Sequence, residues 1–90
     1  MTKTFNTAIE ATEILYELER QLNSLPYNMD LYKMRLNIKR MVTELSQLEV
    51  LARNSHINSK YRVEYSEKRE EIRAAIQQLD NFMLIARLMA

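Results

Sequence analysis

The sequence contains no glycine, no cysteine and a single proline, Pro26. Glycine supplies the positive-φ positions of tight turns and of many helix C-termini, and proline supplies rigid turns. A chain that lacks glycine has few places to turn sharply. Its remaining residues are rich in leucine, glutamate, methionine, arginine, lysine, glutamine and alanine, all of which favour helices. The sequence therefore predicts an all-α protein made of a few long helices.

The length and composition predict one small domain that spans residues 1–90. A hydrophobic content of 47% is typical of a folded protein rather than a disordered one. The N-terminus lacks the apolar stretch of a signal peptide, and the longest apolar run, residues 82–86, is too short to cross a bilayer. We expect a soluble cytoplasmic protein that has no membrane partner.

Apolar residues recur at three- and four-residue steps, which predicts helices over about residues 6–24, 28–53 and 59–89. The third helix begins at Ser59 or, after a looser stretch, at Ser66. Three long helices with short connections are expected to pack antiparallel, as an up-down-up bundle.

Local signals mark where these helices begin and end. Thr7 with Glu10 predicts a capping box at the first start, and Pro26 ends the first helix. Asn28 is expected to cap the second helix. Asn54 is expected to take the left-handed position that glycine usually fills at a helix end.

Apolar side chains outside the main stripes predict a surface that binds a partner. The second helix has a second apolar set, and the third helix is apolar almost all round near its end. Surplus apolar surface on a small helical protein is typical of self-association or complex formation, so we expect oligomerisation to complete the bundle. The interface candidates are Tyr32, Leu36, Phe82, Leu84, Leu88 and Met89.

The basic residues are concentrated in the middle of the chain, although the whole sequence has a net charge of only +1. Residues 31–62 carry seven basic and two acidic side chains, a net charge of +5. Such a surface is either a solvated face or a site for nucleic-acid phosphates. The candidates in this region are Lys33, Arg35, Lys39, Arg40, Arg53, Lys60 and Arg62.

Five tyrosines allow two interpretations. Tyr32, Tyr61 and Tyr65 lie next to basic residues in the sequence, where they either stack on bases or seal the bundle with their hydroxyls in water. For Tyr16 and Tyr27 we favour the sealing role.

Catalytic and metal-binding patterns are missing from the sequence. The one histidine, His56, has no second imidazole or thiolate near it, and Glu67, Glu70 and Glu71 lack the Glu-x-x-His pairs of di-iron bundles. No glycine-rich loop is present to hold a phosphate. We expect no cofactor, no metal and no enzymatic activity.

The order of these features resembles the accessory variability determinant (Avd-like) proteins of diversity-generating retroelements. That family is similar to the four-helix proteins encoded by intervening sequences of large ribosomal RNA. The matching positions follow the chain: Tyr16, Leu22, Leu25-Pro26, Tyr32, Leu36, Ile38, Arg40, Leu45, Leu48, Ala52-Arg53-Asn54, Lys60, Leu79, Leu84, Arg87 and Leu88. The sequence carries three of the family's four helices and is less basic than many members.

The resemblance implies a non-catalytic homopentamer that binds a reverse transcriptase and its template RNA and supports error-prone cDNA synthesis. By position, it implies that Arg40, Arg53, Lys60 and Arg87 contact the RNA or the polymerase. An alternative remains open: a helical protein-interaction module that acts through the apolar face of the third helix. A phage or mobile-element assembly factor, a small subunit of an effector complex, and an immunity protein are examples of this class.

Overall fold

The computed structural model describes residues 4–54 and 59–89, which form three helices and no strand. The helices are α1 (Ala8–Asn23), α2 (Met29–Asn54) and α3 (Ser59–Met89). The all-α prediction is confirmed. The observed ends differ from the predicted ones by at most two residues, and α3 begins at Ser59 rather than Ser66.

Side chains cap the starts of α1 and α2, where the sequence predicts caps. The Thr7 hydroxyl accepts a hydrogen bond from the Glu10 backbone N–H at 3.2 Å. In return the Glu10 carboxylate accepts from the backbone N–H of Asn6, at 3.3 Å, one residue earlier than in the usual capping box. At α2 the Asn28 side-chain oxygen accepts from the second and third backbone N–H groups after it, at 2.9 and 3.2 Å.

The helix ends avoid left-handed backbone. Asn54 remains helical, and none of the residues described here has a positive φ, so the left-handed cap predicted at Asn54 is wrong. The left-handed conformation costs an L-residue roughly 1–2 kcal/mol, and α1 shows how that cost is avoided. Ser24 keeps right-handed helical angles and donates both its N–H, at 3.2 Å, and its hydroxyl, at 2.6 Å, to the Gln21 carbonyl. Ser24 thus ends α1 without the positive φ that a glycine usually supplies at this position.

The helix α2 lies in the centre and packs against both α1 and α3. The core is a single apolar layer that runs along the molecule, whose Cα atoms span 52 × 18 × 18 Å. Each fully buried aliphatic side chain contributes about 1.5–3 kcal/mol of transfer free energy. The largest of the fully buried side chains are Phe5, Ile38, Leu45, Ile72, Ile76, Leu79 and Met83.

Polar contacts between α1 and α2 join the start of one helix to the end of the other. The Ala8 N–H donates to the Glu49 carboxylate at 2.9 Å, and Glu19 lies 3.8 Å from the Arg35 guanidinium. At 16 residues, α1 is much shorter than the 26-residue α2 and the 31-residue α3. Beyond Glu49, the α2–α3 pair therefore continues without α1.

A polar cluster, here called the N-terminal clamp, holds the residues before α1 against the other two helices. It comprises Phe5, Asn6, Glu49, Tyr65 and Arg73. The guanidinium of Arg73 donates to the Phe5 carbonyl at 2.8 Å and lies 5.4 Å from the centre of the Phe5 ring. The Tyr65 hydroxyl is within hydrogen-bond reach of both the Asn6 carbonyl and the Glu49 carboxylate. Burial, with the adjacent Glu49 charge, raises the pKa of Tyr65 above its ordinary value of 10.0.

We predict that Glu49→Ala lowers the free energy of unfolding by about 1–3 kcal/mol, because the Ala8 N–H loses its acceptor in a half-buried site and the Tyr65 hydroxyl loses one of its two. Chemical denaturation followed by circular dichroism measures the change. Glu64→Ala is the matched control, since Glu64 makes only a 4.0 Å ion pair with Lys60 one turn away. Its expected cost is below about 0.5 kcal/mol. Equal costs for the two variants would show that the clamp does not stabilise the fold.

Candidate functional site

The exposed side of α2 carries the predicted basic residues in two different states. Lys33 and Lys39 are exposed, and neither side chain contacts an acidic group in the described residues. Arg40 is also exposed, but it pairs with Glu44 at 2.8 Å and donates to Asn37 at 2.7 Å. The two lysines therefore offer their full charge to an anion, whereas Arg40 shares its charge with a carboxylate.

Arg35 lies apart from the other cations, between α2 and α1. Its side chain is only 20% exposed and lies 3.8 Å from Glu19. Its guanidinium stacks over the Tyr32 ring, 5.1 Å from the ring centre. The structure thus places Arg35 in the α1–α2 contact rather than on the exposed basic surface expected from the sequence.

The remaining basic candidates lie towards the two ends of the rod. Arg53 pairs with Glu49 at 3.3 Å and Lys60 with Glu64 at 4.0 Å, while Arg62 is exposed and unpaired within the described part of the chain. Arg87 lies near the other end, where it donates to the Gln21 side chain at 3.2 Å. The eight candidates therefore do not form one continuous patch on a single copy.

Three tyrosines lie in surroundings that differ from those considered in the sequence analysis. Tyr65, for which both interpretations were open, is half-buried, and its hydroxyl lies against the Asn6 carbonyl and the Glu49 carboxylate rather than in water. Tyr16 and Tyr27, which we expected to seal the bundle, are 62% and 78% exposed, so that prediction is wrong. The reason is position: α1 turns Tyr16 to solvent, and Tyr27 lies in the α1–α2 turn. The Tyr27 and Tyr32 rings lie 6.2 Å apart.

A groove of about 410 Å³ lies between the start of α2 and the end of α3. Its floor is the buried Leu31 and the half-buried Met34. Phe82, Ile85 and Met89 form its α3 wall and share one helical face, at steps of three and four residues. These three side chains are 45%, 49% and 81% exposed, so a large apolar surface faces solvent here.

The predicted interface residues are all exposed, but they lie on different faces. Phe82 and Met89 line the groove. Leu84 and Leu88, which are 54% and 78% exposed, are four residues apart and form a ridge on another side of α3. Tyr32 lies under Arg35 at the α1–α2 turn, and Leu36 is exposed on α2. The sequence therefore identified the exposed apolar side chains but not their division into a groove and a ridge.

A lysine that sequence reasoning missed links the polar sides of α2 and α3. The Lys68 ammonium lies 2.8 Å from the Glu44 carboxylate and 3.1 Å from Glu71. Its hydrogen bond lowers the pKa of Glu44 below the ordinary value of 4.5, and the two carboxylates raise the pKa of Lys68. No sequence signal points to this pair, because the two residues are 24 positions apart and meet only when the helices pack.

Residues 4–54 and 59–89 hold no group of three or more histidine, cysteine, aspartate or glutamate side chains that is able to bind a metal ion. Within them, no helix has the length and apolar character needed to cross a bilayer. His56, which has no second imidazole or thiolate near it in the sequence, lies outside the described residues.

We predict that Glu44→Gln destabilises the protein in a pH-dependent way. A carboxyl whose pKa is lower in the folded than in the unfolded chain stabilises the fold above its unfolded pKa, and this contribution is lost as the pH falls through the folded pKa. The difference in unfolding free energy from the parent protein should therefore be largest above pH 4.5 and shrink progressively below it. Denaturation at a series of pH values measures it, with Glu13→Gln on exposed α1 surface as the control. A difference that grows towards acid pH would contradict the pairing with Lys68.

Comparison with known protein families, with curated proteins and with solved structures finds no match for this chain. The Avd-like resemblance therefore stays a hypothesis that depends on the residues quoted for it. The geometry of the exposed surfaces supplies the argument for function.

Proposed function

We propose that this chain is a non-catalytic helical interaction module that assembles with further copies of itself through the apolar ends of α2 and α3. The observation that carries the proposal is the exposed groove beside Phe82, Ile85 and Met89, with the exposed ridge of Leu84 and Leu88 on the same stretch of α3. An apolar groove of this kind is typical of sites that bind an amphipathic helix. The ridge of Leu84 and Leu88 is the exposed apolar side of a helix, α3, that such a groove is able to bind.

Charge complementarity favours a second copy as the occupant of the groove. Of the described residues that line it, Asp30 alone is charged, and its carboxylate has no basic partner in the described chain. The ridge carries Arg87, three residues after Leu84 and directly before Leu88. Inserting the ridge of one copy into the groove of the next brings Arg87 towards Asp30 of that next copy.

The groove and the ridge are different surfaces, so the proposed contact is heterologous. Contacts of this type generate a closed ring when the rotation between copies closes, and an open chain when it does not. An up-down-up order of the three helices, supported by the contacts of Ala8 with Glu49 and of Glu44 with Lys68, leaves both surfaces free on each copy. The homopentamer that the family resemblance implies is one ring of this kind.

We predict that the double substitution Leu84→Ser with Leu88→Ser dissociates the assembly. Each buried leucine contributes about 1.5–3 kcal/mol, so removing two raises the dissociation constant about 100-fold or more. Native mass spectrometry and light scattering measure the particle mass. Val50→Ser with Val63→Ser, at the opposite end of the rod, is the matched control.

A charge swap tests the orientation of the contact. Asp30→Lys and Arg87→Glu should each weaken the assembly, and the double variant should restore it, because the two charges attract again across the interface. A parent protein that is monomeric at high micromolar concentration would contradict self-assembly. An assembly that withstands both leucine substitutions would contradict this interface.

We propose, as a second function, that the assembled protein binds RNA and a reverse transcriptase, in the accessory role of the Avd-like family. Three cations support this candidate: Lys33, Lys39 and Arg62 are exposed and carry no acidic partner within the described chain. A ring repeats these charges around its axis and thereby strengthens the local field. The ion pairs of Arg40, Arg53 and Lys60 reduce what those residues add, which is why this function ranks second.

We predict that Lys33→Glu with Lys39→Glu weakens RNA binding and reduces its salt dependence. Each lost phosphate contact lowers the slope of log K against log salt by about 0.7 for single-stranded RNA. Fluorescence anisotropy over a salt series measures both quantities. Arg20→Glu, which changes an exposed cation on α1, is the control. RNA that is not retained even at low salt would contradict this second function.

A further inference from the structure

A second cavity, of about 230 Å³, lies at the α1–α2 turn and shares Asn28 with the lining of the groove. Its apolar lining includes Leu22 and Pro26, and two aromatic rings, Tyr27 and Tyr32, open onto it. Of the described residues that line this cavity, Arg35 is the one that carries a charge. The cavity thus combines an aromatic surface with a single cation.

Arg35 lacks the hydrogen bonds that a buried guanidinium normally makes. Its side chain is 20% exposed, yet none of its five N–H donors has a hydrogen-bond acceptor in the described chain, and Nη1 is fully buried. The only charged partner is Glu19, whose carboxylate lies 3.8 Å from Nε. A buried donor without an acceptor is costly, and such groups in folded proteins usually have a partner.

A comparison with Arg73 shows that stacking on an aromatic ring does not explain the deficit. Arg73 also stacks on a ring and also has one buried nitrogen without a partner. Its other nitrogens, however, donate to the Phe5 carbonyl and to Glu70. Arg35 makes no comparable bond, and its guanidinium can therefore turn towards a new acceptor without breaking a hydrogen bond.

Apart from Arg35, the described residues that line the cavity are apolar or uncharged. No carboxylate is among the described lining residues. The side-chain oxygen of Asn28 is already occupied by the backbone N–H groups of Asp30 and Leu31, so its amide NH₂ is the group that remains for a ligand. The site therefore offers donors to an anion, next to two tyrosine rings.

We propose that this cavity binds a carboxylate attached to an aromatic or apolar body, with the carboxylate on Arg35 and the apolar body against Tyr27 and Tyr32. The planar fork of a guanidinium matches a carboxylate. Glu19 already offsets part of the Arg35 charge, so a monoanion suits the site better than a phosphate dianion, which Glu19 would repel. This inference does not rest on the proposed self-assembly, although Asn28 borders both surfaces.

Two sources present this chemistry: a free small acid, and the C-terminal carboxylate of a peptide chain that ends in an aromatic residue. The cavity is large enough for one side chain and a carboxylate. A peptide gains further contacts through the residues that precede its terminal one, which a free acid lacks. The two sources are therefore distinguished by their relative affinities.

The test uses the full chain, labelled with ¹⁵N, and follows the amide signals of Tyr27, Asn28 and Tyr32 by NMR during titration. The probes are 3-phenylpropionate, its neutral amide 3-phenylpropanamide, and phenyl phosphate. We expect half-saturation by the acid at about millimolar concentration, and binding at least ten-fold weaker for the amide and for the phosphate. Equal binding of acid and amide, or no shift with the acid at tens of millimolar, would overturn the proposal.

Two peptides of the same sequence, one ending in phenylalanine with a free carboxylate and one amidated, identify the source. A free-carboxylate peptide that binds ten-fold more tightly than 3-phenylpropionate assigns the site to a chain terminus. Equal affinities assign it to a small acid.

Variants assign the binding to the named residues. Arg35→Gln should weaken acid binding at least ten-fold, and Arg53→Gln, at an exposed arginine elsewhere on α2, should leave it unchanged. Tyr27→Ala keeps the test valid if Arg35→Gln fails to fold, because Tyr27 is 78% exposed and contributes little to the core. Tyr27→Ala should weaken the binding of the aromatic acid several-fold and leave the binding of acetate unchanged. Acid binding that neither variant changes would contradict the site.

Discussion

The whole structure depends on burying the apolar stripe of α2 against two helices at once. Ile38, Leu45 and their neighbours are nearly inaccessible to water because α1 covers one side of the stripe and α3 the other. Of the three described helices, α2 is the one that packs extensively against both of the others. Hydrophobic burial along one helix therefore positions every surface that the chain presents, including the groove, the ridge and the cavity at the first turn.

The helices were predictable because their determinants are local. Apolar spacing, the Thr7 cap and the Asn28 cap act within a few residues, and the structure has them close to where the sequence places them. The roles of the tyrosines and arginines were not predictable in the same way. Tyr65 and Arg73 bind backbone groups 59 and 68 positions earlier in the chain, and such contacts exist only after the helices have packed.

The same reasoning applies to the candidate surfaces. Composition and spacing identified four of the exposed apolar side chains on α3 but not Ile85, which also lines the groove. A groove needs a second wall, and the position of Leu31 and Met34 beside Phe82 is a tertiary fact. The sequence likewise gives the number and positions of the basic residues. Whether each charge is free or paired depends on the side chains that lie next to it in the fold. Arg40 loses much of its field to Glu44, whereas Lys39, one position earlier, keeps its own.

The exposed apolar side chains of α2 and α3 are unevenly distributed along the rod. Within the described residues, neither α2 between Leu36 and Val50 nor α3 between Val63 and Phe82 exposes a large apolar side chain. The middle of these two helices is instead hydrated and ion-paired, with Lys68 between Glu44 and Glu71. These faces of α2 and α3 disfavour side-by-side packing, since bringing two of them together strips water from charges without burying apolar area. Contact near the tips of the two helices carries no such penalty, so on α2 and α3 the chemistry favours contact at the ends.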